Sequence, residues 1–128
     1  MIDNLGGVTS DLLRTALDAA LLRHRVIAHN IANVDTPGYR AKRLTFEQHL
    51  AGATDSLGAS ETGLAQRLEM LKGQLRQDGS LVVTTAEAVE LDGEMVRIAE
   101  NTLRYHALLD ASGKRGELVK MAIAGGRR

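Results

Sequence analysis

Four histidines, His24, His29, His49 and His106, are the imidazoles this chain offers for metal or proton chemistry. No two stand four apart, the spacing that sets a zinc-binding pair on one helix face, and His24 and His29, five apart, point differently. His24 reads instead as a half-buried residue at a packing boundary. There is no cysteine, which removes thiolate ligands, thiol nucleophiles and disulfides. Carboxylates are scattered along polar helix faces rather than paired. Glu94 and Glu100, beside Arg97 and Arg104 at helical spacing, read as solvated ion pairs. Serine and threonine are plentiful without a nucleophile motif, and Gly6-Gly7 and Gly125-Gly126 are not phosphate-cradling loops. The reading is a non-enzyme with no cofactor and no metal. Arg40, Lys42 and Arg43, near Tyr39 and Phe46, are the residue types that grip phosphates and stack a base, but three charges and two rings make a small set. Sixteen basic and sixteen acidic residues leave no net charge to attract nucleic acid or anionic lipid, so neither is expected as a partner. A solvated face after the turn accounts better for the cluster.

Residues that do not catalyse must be explained by packing, and two stripes dominate. Leu13, Leu17, Ala20, His24, Ile27, Ile31 and Val34 alternate steps of four and three, one seam of a helix over 9–34. Ser10 or Thr9 is placed to cap it, Asp11 complements its dipole, and residues 1–8 read as a flexible lead. Near the other end Leu91, Met95, Ile98, Thr102, Tyr105, Leu109, Ser112, Gly116, Val119 and Ile123 repeat the alternation along a helix over 92–124. A sustained period of about 3.5 residues is the coiled-coil pattern, with left-handed supercoiling against a neighbour. The economical arrangement is a hairpin of the first and last helices, each covering the other's stripe. Gly113 and Gly116, each costing about 1 kcal/mol relative to alanine inside a helix, predict a bend or fraying between Ser112 and Glu117.

Between the stripes the character changes. Asn30, Asn33 and Asp35 have short polar side chains that bond nearby backbone, so the first helix should fray there. Thr36-Pro37-Gly38-Tyr39 fits a type II turn: Pro37 presets φ, Gly38 accepts positive φ, and Thr36, preceding proline, is steered out of the α region. Ala51 to Gly63, rich in small and polar residues, reads as an irregular linker. Leu64, Leu68, Leu71 and Leu75 predict a short amphipathic helix ended near Asp78-Gly79, and Ser80 to Thr84 a brief strand. Thr84 with Glu87 forms a possible capping box for a final helix starting near Ala86; a start at Asp92 is the alternative. The fold class is mainly α: a single domain over 1–128, with the terminal helices packed as a coiled-coil-like hairpin and an irregular, partly extended middle segment over 35–91. With 44% apolar but only 2% aromatic residues, no large self-contained core is expected. The middle is mildly acidic and both ends mildly basic.

Ala32, Asn33, Thr36, Pro37, Gly38 and Tyr39, followed by Arg40, Lys42 and Arg43, resemble the N-terminal signature of the bacterial flagellar rod, hook and hook-associated axial proteins, an ANxxTPGY-like turn with basic residues after it. Glu94 to Tyr105, ending AENTLRY, resembles the C-terminal helix of the proximal rod members of that family. The resemblance implies a structural subunit of the proximal rod of the flagellar basal body, polymerising into a helical tube through its terminal helices. It implies as partners other copies, related rod proteins, and the rod-base adaptor and export-gate or membrane-ring components. It also implies a rod location in the periplasm, reached by flagellar type III export. In keeping with that route, no apolar run at the start of the chain reads as a cleaved signal peptide. Within this reading Leu13, Leu17, Ile27, Ile31, Met95, Ile98, Tyr105 and Leu109 form the subunit-packing seam. The turn residues Asn33, Thr36, Pro37, Gly38 and Tyr39 set how the chain leaves its first helix. Val89 to Gly93 departs from the family pattern, being shorter than the usual approach to the last helix. A small cytoplasmic helical adaptor or chaperone that binds partner helices is the alternative.

Overall fold

The computed structural model describes residues 2–56, 61–77 and 80–126. Elements follow in the order α1 (Ile2–Ala32), β1 (Arg40–Leu44), α2 (Phe46–Ser56), α3 (Glu61–Arg76), β2 (Val82–Ala88) and α4 (Leu91–Gly126). The molecule is mainly helical, and its two long terminal helices lie against one another. They run antiparallel: Asn30 meets Glu94, Ala20 meets Asn101 and Ser10 meets Arg115, so advancing along one helix retreats along the other.

α1 is shared between two neighbours. One side faces α4; the other, through Ala19 and Leu22, faces the middle of the chain. There Leu44 of β1, Phe46 of α2, Leu71 of α3 and Leu81 close a small apolar core, with Leu50, Leu75 and Val82 packed on it. Leu68 and Leu71 are buried, as the leucine spacing of α3 predicts for its inner face. The core therefore forms between α1 and the middle segment, whereas the sequence pattern points to one between the terminal helices.

β1 and β2 pair as a two-stranded antiparallel ribbon with Lys42 opposite Thr84, Arg43 opposite Val83 and Leu44 opposite Val82. The register shifts between Arg40 and Lys42, a bulge spanned by the Thr85 hydroxyl, which donates to the Ala41 carbonyl at 2.8 Å. Thr45 continues the ribbon by donating backbone N–H and hydroxyl to the Leu81 carbonyl, both at 2.8 Å.

Several expectations are revised. α1 begins at Ile2 instead of residue 9, so Thr9 and Ser10 lie inside it. α1 also runs unbroken through Asn30, whose side chain is bonded to other elements rather than to its own backbone. Most of the stretch 51–63 is helical where a linker reads from its composition: α2 extends to Ser56 and α3 begins at Glu61, with 57–60 outside the described residues. Tertiary anchoring through Phe46 and Leu50 overrides the weak local preference. The expected stop at Asp78-Gly79 also lies outside the described residues; α3 ends at Arg76. Thr84 to Glu87 belongs to β2 and caps nothing, and α4 starts at Leu91, next to the alternative start at Asp92. Gly113 and Gly116 do not interrupt α4, which continues to Gly126.

Leu71→Ala removes a fully buried side chain from the core and should cost about 2–5 kcal/mol, against within about 0.5 kcal/mol for Met70→Ala one position away on the exposed face. Urea unfolding followed by circular dichroism separates the two; equal losses would mean that this cluster is not the core.

Candidate functional site

The end of α1 is built by its own sequence. Asn33 donates its side-chain Nδ2 back to the His29 carbonyl at 2.9 Å, satisfying one of the carbonyls a helix end leaves open. Thr36 then donates its backbone N–H to the Asn33 carbonyl at 3.0 Å and its hydroxyl to Asn33 Oδ1 at 3.1 Å. Tyr39 closes the turn by donating N–H to the Thr36 carbonyl at 3.2 Å, around Gly38 at φ 76°. This is the type II geometry that Pro37-Gly38 dictates, and its effect is to send the chain back along α1 as β1.

The returning strand is received by Asn30, which is fully buried. Its Oδ1 accepts the Lys42 backbone N–H at 3.0 Å and its Nδ2 donates to the Lys42 carbonyl at 3.0 Å, so one carboxamide satisfies both backbone groups of a strand residue. The Tyr39 hydroxyl donates to the same Oδ1 at 3.4 Å, and the Lys42 ammonium lies 5.9 Å from the Tyr39 ring centre. Asn30 Nδ2 also donates to Glu94 Oε2 at 3.1 Å. Glu94 is 0% exposed and is gripped by both ends of the Arg43 guanidinium, at 2.5 and 3.1 Å, with Arg97 at 3.6 Å. α1, β1 and α4 thus meet in one polar knot.

Burial alone would push the Glu94 carboxyl up, but hydrogen bonds from Arg43 and Asn30, with the charges of Arg43 and Arg97, together hold it below the ordinary carboxylate value. The Glu47 carboxyl is likewise held down: burial opposes ionisation, and bonds from Arg23 and its own backbone, with the charges of Arg23 and Arg104, outweigh it. Glu94 is therefore not one of a set of solvated ion pairs, as its spacing from Arg97 suggests. Arg43 is committed within the chain rather than displayed on a solvated face.

The eight residues of the expected packing seam divide. Ile27 is buried; Leu13, Leu17, Ile31, Ile98 and Tyr105 are half-buried; Met95 and Leu109 are 53% and 41% exposed. His24, expected at a packing boundary, is exposed. On α4 the side turned inward carries Glu94, Ile98, Asn101, Tyr105 and Leu108, the same alternation of fours and threes begun at a different residue. Both registers share Ile98 and Tyr105; the more apolar one also includes Leu91, Met95 and Leu109, which are exposed. Asn30, Glu94 and Asn101 were hidden from pattern reading by being polar, although Glu94 and Asn101 stand one heptad apart beside Ile98. Asn101, 2% exposed, donates to the Ala20 carbonyl at 2.8 Å, tying α4 to α1 a second time.

Two clefts border the hairpin. One of about 360 Å³ lies among α1, β1, the start of α2, and α4, and includes Arg23, Glu47, Arg97 and Arg104. A second, of about 390 Å³, lies toward the far end, where Leu13 and Leu17 face Ser112, Gly116 and Val119. Small residues on α4 leave that groove incompletely filled. Among the described residues no cluster of His, Asp and Glu is arranged to hold a metal ion, and no helix is long and apolar enough to cross a membrane.

A family model described as flagella basal body rod protein matches residues 11–40, which span most of α1 and the turn. The chain is 29% identical over 122 residues to flagellar basal body rod protein FlgB of Bacillus subtilis, covering 90% of this chain and 92% of the relative. It is 32% identical over 110 residues to FlgB of Escherichia coli, covering 75% and 78%. To FlgB of Borrelia hermsii it is 27% identical, covering 94% and 98%. No solved structure matches the chain.

Arg43→Ala leaves the buried Glu94 with Asn30 and a distant Arg97, and should cost about 3–5 kcal/mol, toward the lower end because Asn30 remains. Glu94 is held below the ordinary value near 4.5, so its contribution is present above that value and is lost as pH falls through the lowered one. Urea midpoints measured from about pH 7 to about pH 3 should fall for the unmodified chain and fall less steeply for Glu94→Gln. Parallel curves would detach the acid sensitivity from this carboxylate.

Proposed function

The chain belongs to the FlgB family of flagellar basal body rod proteins and is a non-enzymatic, structural rod subunit, and from that premise we propose that it builds the rod wall through the outward side of α4. As a rod protein it assembles with other rod components. The supporting observation is that α4 turns polar Glu94 and Asn101 inward while Leu91, Met95, Val96, Leu103 and Leu109 are exposed, Leu103 at 72%. Farther along, Leu118 and Met121 are exposed as well. Such a concentration on one helix is the surface an assembling subunit presents to a neighbour.

In this reading Ile27, Ile31, Ile98 and Tyr105 hold the hairpin, Met95 and Leu109 meet adjacent subunits, and Leu13 and Leu17 take a neighbouring side chain in the groove beside Gly116. The turn from Asn33 to Tyr39 fixes where β1 leaves the helical layer. Contacts between unlike patches that do not close into a ring generate a helical tube. The location we assign is the proximal rod in the periplasm, reached by flagellar export. The partners are further copies, sister rod proteins, and the adaptor, export-gate or membrane-ring components at the rod base. Basal bodies purified from cells lacking this chain should retain the membrane ring and lack the rod; intact rods there would overturn the assignment.

Met95→Asp with Leu109→Asp should leave the helical circular dichroism and urea midpoint of the purified chain within about 1 kcal/mol of the original, since both sites are already solvated. The same chain should be missing from purified basal bodies, because assembly would bury an unpaired charge. Normal incorporation would remove α4's outer side from the wall contact.

A further inference from the structure

The cleft between α1, the ribbon and α4 holds more positive charge than its own carboxylates answer. Five of its lining side chains are cationic, Arg23, Lys42, Arg43, Arg97 and Arg104, against Glu47 and Glu100. Arg23 is engaged by both carboxylate oxygens of Glu47, and Arg43 by both of Glu94. Arg97 and Arg104 are about half exposed and stand 3.6 Å from those same carboxylates, already bonded elsewhere. Asn101 lines the cleft too, and its buried Oδ1 has no hydrogen-bond partner among the described residues. A chain segment entering here would complete it by offering carboxylates to the two arginines.

The same molecule carries such a segment. Glu87, Glu90 and Asp92, where β2 passes into α4, are exposed and make no ion pair among the described residues. At about 100° per residue, Asp92 is turned roughly 140° from Arg97 and roughly 120° from Arg104 around α4, so it cannot fold into the cleft of its own helix. We propose that Glu87 to Asp92 of one copy docks in the Arg97 and Arg104 cleft of the next, a head-to-tail ionic contact between two different patches. Such a contact propagates instead of closing on a two-fold axis. It rests on the rod reading and specifies which surfaces of two copies meet.

The chain has no cysteine, so single cysteines report the contact cleanly. Gln48→Cys lines the cleft and Ala88→Cys sits in the acidic segment; both positions are exposed and uncharged. Mixing the two purified full-length variants with a short bifunctional maleimide should give the mixed 48-to-88 product above both same-site products. The mixed product should be lost at about 1 M salt, where screening acts over about 3 Å. It should also be lost when Arg97→Glu and Arg104→Glu are added to the Gln48→Cys chain, and regained when Glu90→Arg and Asp92→Arg are added to its partner. Regain on charge exchange excludes misfolding as the cause of the loss; Arg97→Gln with Arg104→Gln gives a milder second variant. Predominance of same-site products, no mixed product, a mixed product indifferent to reversal, or linkage in cells to another protein in place of a second copy would each overturn the contact. Incorporation of the cysteine variants into basal bodies is scored alongside: rods containing the chain but no mixed product reject the contact and leave the rod role standing. Absence of the unmodified chain from rods rejects both.

Discussion

A buried carboxylate must be answered group by group, and the hairpin is organised around the answer given to Glu94. Desolvating the charge is unfavourable by several kcal/mol in protein interiors, and that cost is offset here by a bidentate guanidinium from β1 and an amide from α1. Each of those donors has one direction, so the knot fixes how the three elements meet in a way an apolar seam does not. Two heptad-patterned helices can slip against one another by whole turns and still bury similar surfaces; a carboxylate that slips away from Arg43 and Asn30 is left charged in a dry place. Register is set by polar groups, a role best attested for buried asparagine in coiled coils.

That arrangement turns α4 partly inside out. Polar Glu94 and Asn101 point to α1, and the more apolar residues of the same helix point to water. Burying each such side chain fully is worth about 1.5–3 kcal/mol, and a neighbour must supply the surface. One contact of this kind has to offset the freedom lost on association. A wall of repeated contacts does so far more readily than a pair. The small core among α1, α2, α3 and β1 meanwhile holds the middle segment against α1 without help from α4, leaving the outer side of the last helix uncommitted.

Local chemistry carried much of the architecture into the sequence. Pro37-Gly38 and its flanking threonine and tyrosine gave the turn and its positive φ, leucine spacing gave α3, and the paired stripes pointed to a hairpin of the terminal helices, whose antiparallel sense only the contacts decide. What escaped was decided by distant partners. α2 contains small and polar residues that favour no helix strongly, and it is held by Phe46 and Leu50 on a core whose other half lies on α1 and α3. Hydrophobic counting on α4 favours Met95 and Leu109 over Glu94 and Asn101, and only the position of Arg43 and the Ala20 carbonyl makes the polar side the inner one. The start of α1 was masked by glycines that a long helix tolerates.

The segment matched by the family model, residues 11–40, ends at the first residue of β1 and contains the turn and Asn30. Asn30 recognises β1 through the backbone N–H and carbonyl of Lys42, groups that any residue but proline presents. Asn33, Thr36 and Gly38 make their turn with each other and with backbone, and Tyr39 reaches back to Asn30. The side chains that end α1, reverse the chain and receive the strand therefore lie within the matched residues, while the backbone they receive is that of Lys42, two residues beyond them. Arg43, next along the strand, meets Glu94. The turn and Asn30 place the strand, while the Arg43 to Glu94 arm decides where the last helix sits on it and, with that, which residues of α4 remain exposed.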